Sequence, residues 1–415
     1  MKPNIRIKQD SLLADSPFHI VIDNLAANKI YTIKMILTNY YCINAPMNLD
    51  LQTPWCGEAD FLSNNMGIIN IDTDSALSGS YTGINGMGMF WNCKPNYKKE
   101  NLKSKIIKNI PYNKEFNITV QVYLNEKLIG SHTFKRYYQL PDINEKDIKL
   151  NSGLARLFYY SDKNPKPAII VLSGSDGRIE KAQNIAQVLA GHGFTTMAIA
   201  YFGLDSLPSN LNKIPIEVVK EAIDFLKKEE CVDSTKIGVY GRSKGAELAL
   251  VCASYYNEIK AVVANSPSCA VLEGIDGWKN SKTSSWTKNG AELPFTHFNL
   301  MEFFKGKLRC EQIISYKPES YISVENIKGN ILFIGSSRDE IWNAKDSILA
   351  MLKKLSIKNN AKTLLYSNCG HMLSIAYQPN YRYRKIPWER IMVDTNHSWK
   401  NTIDFLNDNF NDEKH

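Results

Sequence analysis

No stretch of this sequence approaches the 18 or more apolar residues that a membrane span needs. The opening MKPNIRIKQDSLLADSP has a basic start but lacks the apolar region of a secretion signal. A soluble, reducing, cytoplasmic setting is the expectation that follows. Eight cysteines are present, yet no two are spaced C-x-x-C, so neither a zinc ribbon nor a dithiol redox motif is spelled out. They read as buried or incidental thiols. A concentrated basic face is missing as well. The net charge of +8 comes from 50 Lys and Arg against 42 Asp and Glu, divided 17 to 14 over residues 1–150 and 33 to 28 over the rest. So diffuse an excess does not make a nucleic-acid footprint, although it permits attraction to an anionic small ligand.

What is present is an ordinary globular composition, 44% apolar and 22% charged. It is neither disordered, fibrous nor disulfide-stapled. At roughly 150 residues per domain, the 415 residues allow two to three domains.

The first 140 or so residues alternate like strands. Phe116, Ile118, Val120, Val122 and Leu124 take every second position, and Asn125-Glu126 then turns the chain into Lys127 to Phe134, which predicts a half-buried hairpin. Short runs at His19–Ile22, Tyr31–Leu37 and Met66–Ile71, with nothing helical between them, predict an antiparallel, immunoglobulin-like β-sandwich. It carries no catalytic or metal-binding constellation.

After the polar stretch Pro141–Asn151 the period changes. Ala168–Leu172 is continuously apolar, as in strands covered on both faces. Ala182, Ile185, Ala186 and Leu189 then repeat at helical spacing until Gly191 and Gly193. The alternation continues with Thr195–Ala200 as strand, a helix opened by Pro215, Ile237–Tyr240 as strand, Lys244–Tyr256 as helix and Lys260–Ala264 as strand. It lapses over 267–328 and resumes with Asn330–Ile334, a helix over Ala344–Leu355, Thr363–Tyr366 and a last helix around Trp399–Phe410. Repeated strand and helix predicts an α/β domain with a parallel, doubly wound sheet, and the lapse reads as an insertion.

Between a predicted strand and a predicted helix stands Gly241-Arg242-Ser243-Lys244-Gly245, a G-x-S-x-G sequence. The bare pattern arises by chance in roughly one chain in ten of this length, so its value lies in that context. Small residues two before and two after Ser243 let a strained turn lift the hydroxyl clear, and the helix beginning there points its N–H groups at the site.

A serine hydroxyl needs a base, and the base an orienting carboxylate. On a sheet of this type the acid follows a later strand and the histidine follows the last. Asp339 lies just beyond Asn330–Ile334 and His371 just beyond Thr363–Tyr366. Glu340 is a rival acid. The other histidines fit less well: His19 and His132 fall in the sandwich, His192 in a helix-ending loop, His297 in the insertion, His397 before the last helix, and His415 is the final residue. The developing oxyanion needs two donors, expected from the backbone N–H groups of Lys244 and of Ser175 in the loop Ser173-Gly174-Ser175-Asp176-Gly177. A phosphate-binding loop would require G-K-[ST], which is absent. The Lys244 side chain is expected in solvent.

With these residues placed, the chain resembles the acyl-CoA thioesterase and bile acid-CoA:amino acid N-acyltransferase family over nearly its whole length. The resemblance is carried by Ser78-Gly79-Ser80-Tyr81-Thr82-Gly83 and Met87-Gly88-Met89-Phe90-Trp91. It extends to Ala198-Ile199-Ala200-Tyr201 with Leu207-Pro208, the elbow Gly241–Glu247, Asp339 three before Trp342, and Gly370-His371. It implies a sandwich over 1–142 and an α/β-hydrolase domain over 143–415 with its insertion near 267–328. It also implies Ser243 as nucleophile, His371 as base and Asp339 as its orienter, which sets Glu340 aside. The amino-acid transferases of that family resemble this chain but carry cysteine at the nucleophile. Ser243 therefore points to hydrolysis of an acyl-CoA substrate, through an acyl-serine, to free acid and CoA, with no cofactor or metal. Acyl transfer to an amine, or an esterase or peptidase on the same fold, are the alternatives. Arg178 and Lys181, at the head of the first helix, are candidates for the CoA phosphates. Trp278, Trp286, Phe295, Phe298, Phe303 and Phe304 of the insertion suggest either a lid with an acyl pocket or an aromatic satellite core.

Overall fold

Alternation with period two becomes two antiparallel sheets in the computed structural model, which describes residues 2–43, 52–96, 113–162, 164–277, 279–298, 315–355, 361–371, 373–379 and 387–410. The chain divides into two compact units, Met1–Leu140 with Ser374–Asn396, and Pro141–Leu373 with His397–His415.

The first unit carries β1 (Asn4–Gln9), β2 (Phe18–Asp23), β3 (Ile30–Thr38), β4 (Trp55–Leu62), β5 (Ile69–Asn70), β6 (Ser78–Gly79), helical turn α1 (Gly88–Trp91), β7 (Lys94–Pro95), β8 (Glu115–Leu124) and β9 (Lys127–Tyr137). One sheet runs β1-β2-β5, the other β6-β4-β3-β8-β9, with β7 paired to β4. Ile33, Met35 and Leu37 of β3 and Phe116, Ile118, Val120 and Val122 of β8 are buried on one face, and Phe18, Ile20 and Ile22 of β2 on another. Phe18 meets Phe90 and Phe134 edge to face, with ring centroids 5.6 and 5.1 Å apart. Asn125 and Glu126 both take positive φ, 48° and 64°, which matches the twist of a tight hairpin.

Three expectations need correction in this unit. The run Met66–Ile71 forms strand at Ile69–Asn70 only, and α1 places Met89, Phe90 and Trp91 in the core of a region expected to lack helix. The segment after Leu373, read from the sequence as part of the second domain, groups with the sandwich. There the buried Gln378 accepts from Tyr40 Oη at 2.7 Å and donates to the Ala14 carbonyl at 2.9 Å.

The second unit contains β10 (Ile143–Lys149), β11 (Leu154–Tyr160), β12 (Lys166–Leu172), α2 (Glu180–Ala190), β13 (Thr195–Ala200), β14 (Ile214–Pro215), α3 (Glu217–Leu226), β15 (Val232–Arg242), α4 (Lys244–Tyr255) and β16 (Ile259–Asn265). Then come β17 (Glu273–Asp276), β18 (Lys279–Ser284), β19 (Trp286–Lys288), β20 (Ala291–Glu292), β21 (Asn330–Ser336), α5 (Ala344–Leu352), β22 (Ala361–Tyr366) and the end of α6 (Trp388–Phe410). The eight-stranded sheet has the order β10-β11-β13-β12-β15-β16-β21-β22. Its strands are parallel from β13 to β22, while β11 is antiparallel to both neighbours. The central strands β12, β15 and β16 are apolar and buried on both faces, as helical cover requires.

The polar stretch Pro141–Asn151 contains the edge strand β10, whose mostly exposed side chains hide its alternation. Pro215 lies in β14, paired with β19 of the insertion, so α3 starts at Glu217. The last helix begins eleven residues before the expected Trp399, at Trp388. No described helix is long and apolar enough to cross a membrane.

Candidate active site

The carboxyl ends of the parallel strands meet where strand order reverses, the usual position for a site in an open α/β sheet. β12 delivers the loop 173–177, β15 delivers Ser243, β21 leads to Asp339 and β22 to His371.

Ser243 stands between β15 and α4 with φ 58° and ψ −124°, a left-handed backbone that a serine adopts only under constraint. The constraint comes from its glycines. A Cβ on Gly241 would sit 2.1 Å from the Gly245 carbonyl oxygen, and one on Gly245 would sit 2.3 Å from that of Ser173. Only residues without a side chain let β15, α4 and β12 approach so closely. The Ser243 N–H donates to the Asn265 carbonyl at 2.9 Å, which fixes the elbow to the end of β16.

His371 Nδ1 faces both carboxylate oxygens of Asp339, at 2.9 and 2.8 Å, with both side chains out of solvent. Asp339 Oδ1 also accepts the backbone N–H groups of Ile341 and Trp342, which hold the carboxylate in place. Trp342 stands edge-on to the imidazole, ring centroids 4.9 Å apart at 87°, and its indole N–H donates to the Ser266 carbonyl. Glu340, the rival acid, accepts the backbone N–H of His371 at 2.9 Å. His371 Nε2 is buried and has no hydrogen-bond partner among the described residues, so the serine and the imidazole are not joined by a hydrogen bond. Free forms of such sites often hold these contacts long. The two are nonetheless anchored to adjacent residues, since Ser266 Oγ donates to the His371 carbonyl and Asn265 holds Ser243. Asn265 Nδ2 further donates to Tyr240 Oη and to the Leu373 carbonyl. The sequence reading missed Asn265 and Ser266; a polar pair ending an apolar strand was their one signal.

Gly174 lies against the nucleophile, where an added Cβ would be 3.5 Å from Ser243 Oγ. Ser175 is exposed at the loop tip, and no hydrogen bond to a described residue uses its N–H. Lys244 opens α4, so its N–H has no acceptor one turn back. Both expected donors are thus available.

The Lys244 side chain is not in solvent. It lies buried with Nζ 2.6 Å from Glu247 Oε1, and burial pulls the ammonium pKa down while pushing the Glu247 carboxyl up; their mutual attraction opposes both shifts. The same Glu247 oxygen accepts Trp286 Nε1 at 2.7 Å and the Leu272 N–H at 3.1 Å. Trp286 therefore belongs to the main core beneath the elbow rather than to a lid, because its indole N–H finds its acceptor there. Phe295 packs against that core, and Phe298 against Leu272, Trp342 and Ala344. Trp278, Phe303 and Phe304 lie outside the described residues. Arg178 and Lys181, the candidates for the CoA phosphates, face carboxylates: Arg178 pairs with Glu180, and the buried Lys181 reaches Asp176 at 2.7 Å.

The sheet order and the strained serine between strand and helix define an α/β-hydrolase. Residues 15–150 match the family described as acyl-CoA thioester hydrolase/BAAT N-terminal region, and residues 214–392 match BAAT / acyl-CoA thioester hydrolase C terminal. The chain belongs to this acyl-CoA thioester hydrolase and bile acid-CoA:amino acid N-acyltransferase family. It is 26% identical to the bile acid-CoA:amino acid N-acyltransferase of Mus musculus over 95% of each chain. To acyl-coenzyme A thioesterase 1 of Mus musculus it is 24% identical, over 88% of this chain and 84% of the relative. Among solved structures, an esterase of Pyrococcus furiosus aligns with TM-score 0.44 and 16% identity, covering 65% of this chain and 94% of that one.

Proposed function

We propose that this protein hydrolyses acyl-CoA thioesters to free acid and CoA. Family membership makes it an enzyme of acyl-CoA thioester chemistry, and the reading assigns each step to a residue. His371 takes the proton of Ser243 Oγ as that oxygen bonds to the thioester carbon, with Asp339 holding the imidazole and stabilising its charged form. The N–H groups of Ser175 and Lys244 hold the oxyanion. The C–S bond then breaks and the sulfur takes the proton from His371. A thiol of pKa about 8.5 leaves more readily than an alcohol or amine. Water, deprotonated by the same imidazole, attacks the acyl-serine, and the acid departs as Ser243 recovers its proton.

The observation that carries this reading is the buried Asp339–His371 pair with Nε2 left without a partner, on a fold that presents Ser243 at its elbow. Arg178 and Lys181 are not assigned to the CoA phosphates, because their charges already face Glu180 and Asp176. A sandwich domain over 1–142, a hydrolase domain that begins at 143, with Ser374–Asn396 grouped with the sandwich, and a cytoplasmic setting are part of the same proposal.

The test is free-thiol release from acyl-CoAs of graded chain length, run beside p-nitrophenyl esters. Wild type should release CoA and Ser243→Ala should not; turnover of the esters alone would overturn the thioesterase reading. The 26% identity to the mouse N-acyltransferase over 95% of each chain supports transfer as a second reading. An N-acyl product formed when an amine acceptor is added would favour it.

A further inference from the structure

We propose that Asp176 is a positioning residue that ties the oxyanion loop to the nucleophile elbow and to α2, an inference that rests on the hydrolase reading above. One carboxylate oxygen, Asp176 Oδ2, lies 2.7 Å from Lys181 Nζ of α2 and 3.4 Å from Nη2 of Arg242, the residue before the nucleophile. Both cationic side chains are buried, while Asp176 is partly exposed. Arg242 Nη1 is buried and has no hydrogen-bond partner among the described residues, while Nη2 pairs with Asp176.

The loop that Asp176 belongs to is also closed by the Gly177 N–H, which donates to the Gly174 carbonyl at 3.4 Å. At the start, Tyr201 Oη donates to the Ser173 carbonyl; at the end, Gly177 and Arg178 take φ of 66° and 61° and the Arg178 N–H donates to the Phe202 carbonyl at 2.9 Å. Between these clamps lie Gly174, packed on Ser243, and Ser175, whose N–H is the proposed donor. An oxyanion donor acts only when held near 3 Å from the place where charge develops, and a misplacement of 1 Å can cost about 10²-fold in rate. The Asp176 side chain reaches the elbow itself through Arg242. A buried ion pair is weak evidence for stability but well suited to fixing one geometry.

The experiment compares Asp176→Asn, Asp176→Glu and the charge-balanced pair Asp176→Asn with Lys181→Met against wild type. Acyl-CoA hydrolysis and fluorophosphonate labelling are measured per folded molecule, with folding followed by circular dichroism. Asp176→Asn should lower kcat and the labelling rate together by about 10- to 100-fold, with KM within about twofold. Asp176→Glu should restore part of the loss because it keeps the charged tether. The double variant should regain stability without regaining kcat, which separates tethering from charge compensation. Should activity per folded molecule be unchanged in Asp176→Asn, or return fully in the double variant, the inference is overturned, while loss of turnover in Ser243→Ala would leave the hydrolase reading standing. Retained turnover in Ser243→Ala would overturn both.

Discussion

The carboxylate of Glu340 accepts the backbone N–H of His371 at 2.9 Å, while its neighbour Asp339 faces the ring. Two adjacent acids thus divide the work of fixing one histidine, Glu340 holding its main chain and Asp339 its imidazole.

This division can be read out kinetically. Asp339→Asn should lower kcat by about 10²- to 10⁴-fold, since an amide there stabilises neither the tautomer nor the charged imidazole. Glu340→Gln should cost about tenfold or less because an amide oxygen still accepts an N–H. Steady-state hydrolysis by both variants decides the matter, and an equal loss in the two would reverse the assignment.

The elbow glycines are set by close backbone approach. Gly245→Ala would place a Cβ 2.3 Å from the Ser173 carbonyl oxygen, against main chain that cannot rotate away. Overpacking of this kind typically costs about 1–3 kcal/mol, and here it also displaces Gly174 and Ser175. A fall in the urea midpoint accompanied by slower fluorophosphonate labelling is the expected result.

Breaking the buried Lys244–Glu247 pair should be far worse than removing it whole. Glu247→Ala leaves a buried ammonium without its carboxylate and should destabilise by about 3–5 kcal/mol, while the double variant Lys244→Met, Glu247→Leu should recover much of that loss. Denaturant unfolding of the three proteins measures the difference; equal loss in the single and double variants would show that the pair is not coupled.

The first unit carries a pH-sensitive contact. Burial lowers the pKa of His19, but the carboxylates of Asp72 at 2.9 Å and Asp10 at 3.2 Å outweigh it and leave the imidazole above its ordinary 6.5. A raised pKa in the folded state means that this stabilisation is complete below pH 6.5 and fades as pH rises through the folded value. Unfolding midpoints of wild type should therefore fall over that window relative to His19→Gln. Parallel curves would remove His19 as the cause.

Much of this was legible along the chain. The alternation at Phe116–Leu124, the apolar runs at Ala168–Leu172 and Asn330–Ile334, and G-x-S-x-G between strand and helix are local patterns. Each is set by a few neighbouring residues facing a core, so the sequence alone determined the two fold classes and nominated Ser243, Asp339 and His371. The partners of buried charge were not legible, because no local pattern says which cations the fold will bury, whether the carboxylate that meets them is near in sequence, as for Lys244 and Glu247, or far, as for Arg242 and Asp176. Lys181 and Arg242 meet Asp176 across the sheet's carboxyl edge, and Trp286 meets Glu247 from the insertion. Charges that read as solvent-facing or phosphate-seeking became internal pairs, since a buried cation is tolerated only where a carboxylate meets it. Likewise, Ser374–Asn396 interrupts the catalytic unit in sequence yet groups with the sandwich. Periodicity records which face of an element is covered, whereas only the folded chain decides what covers it.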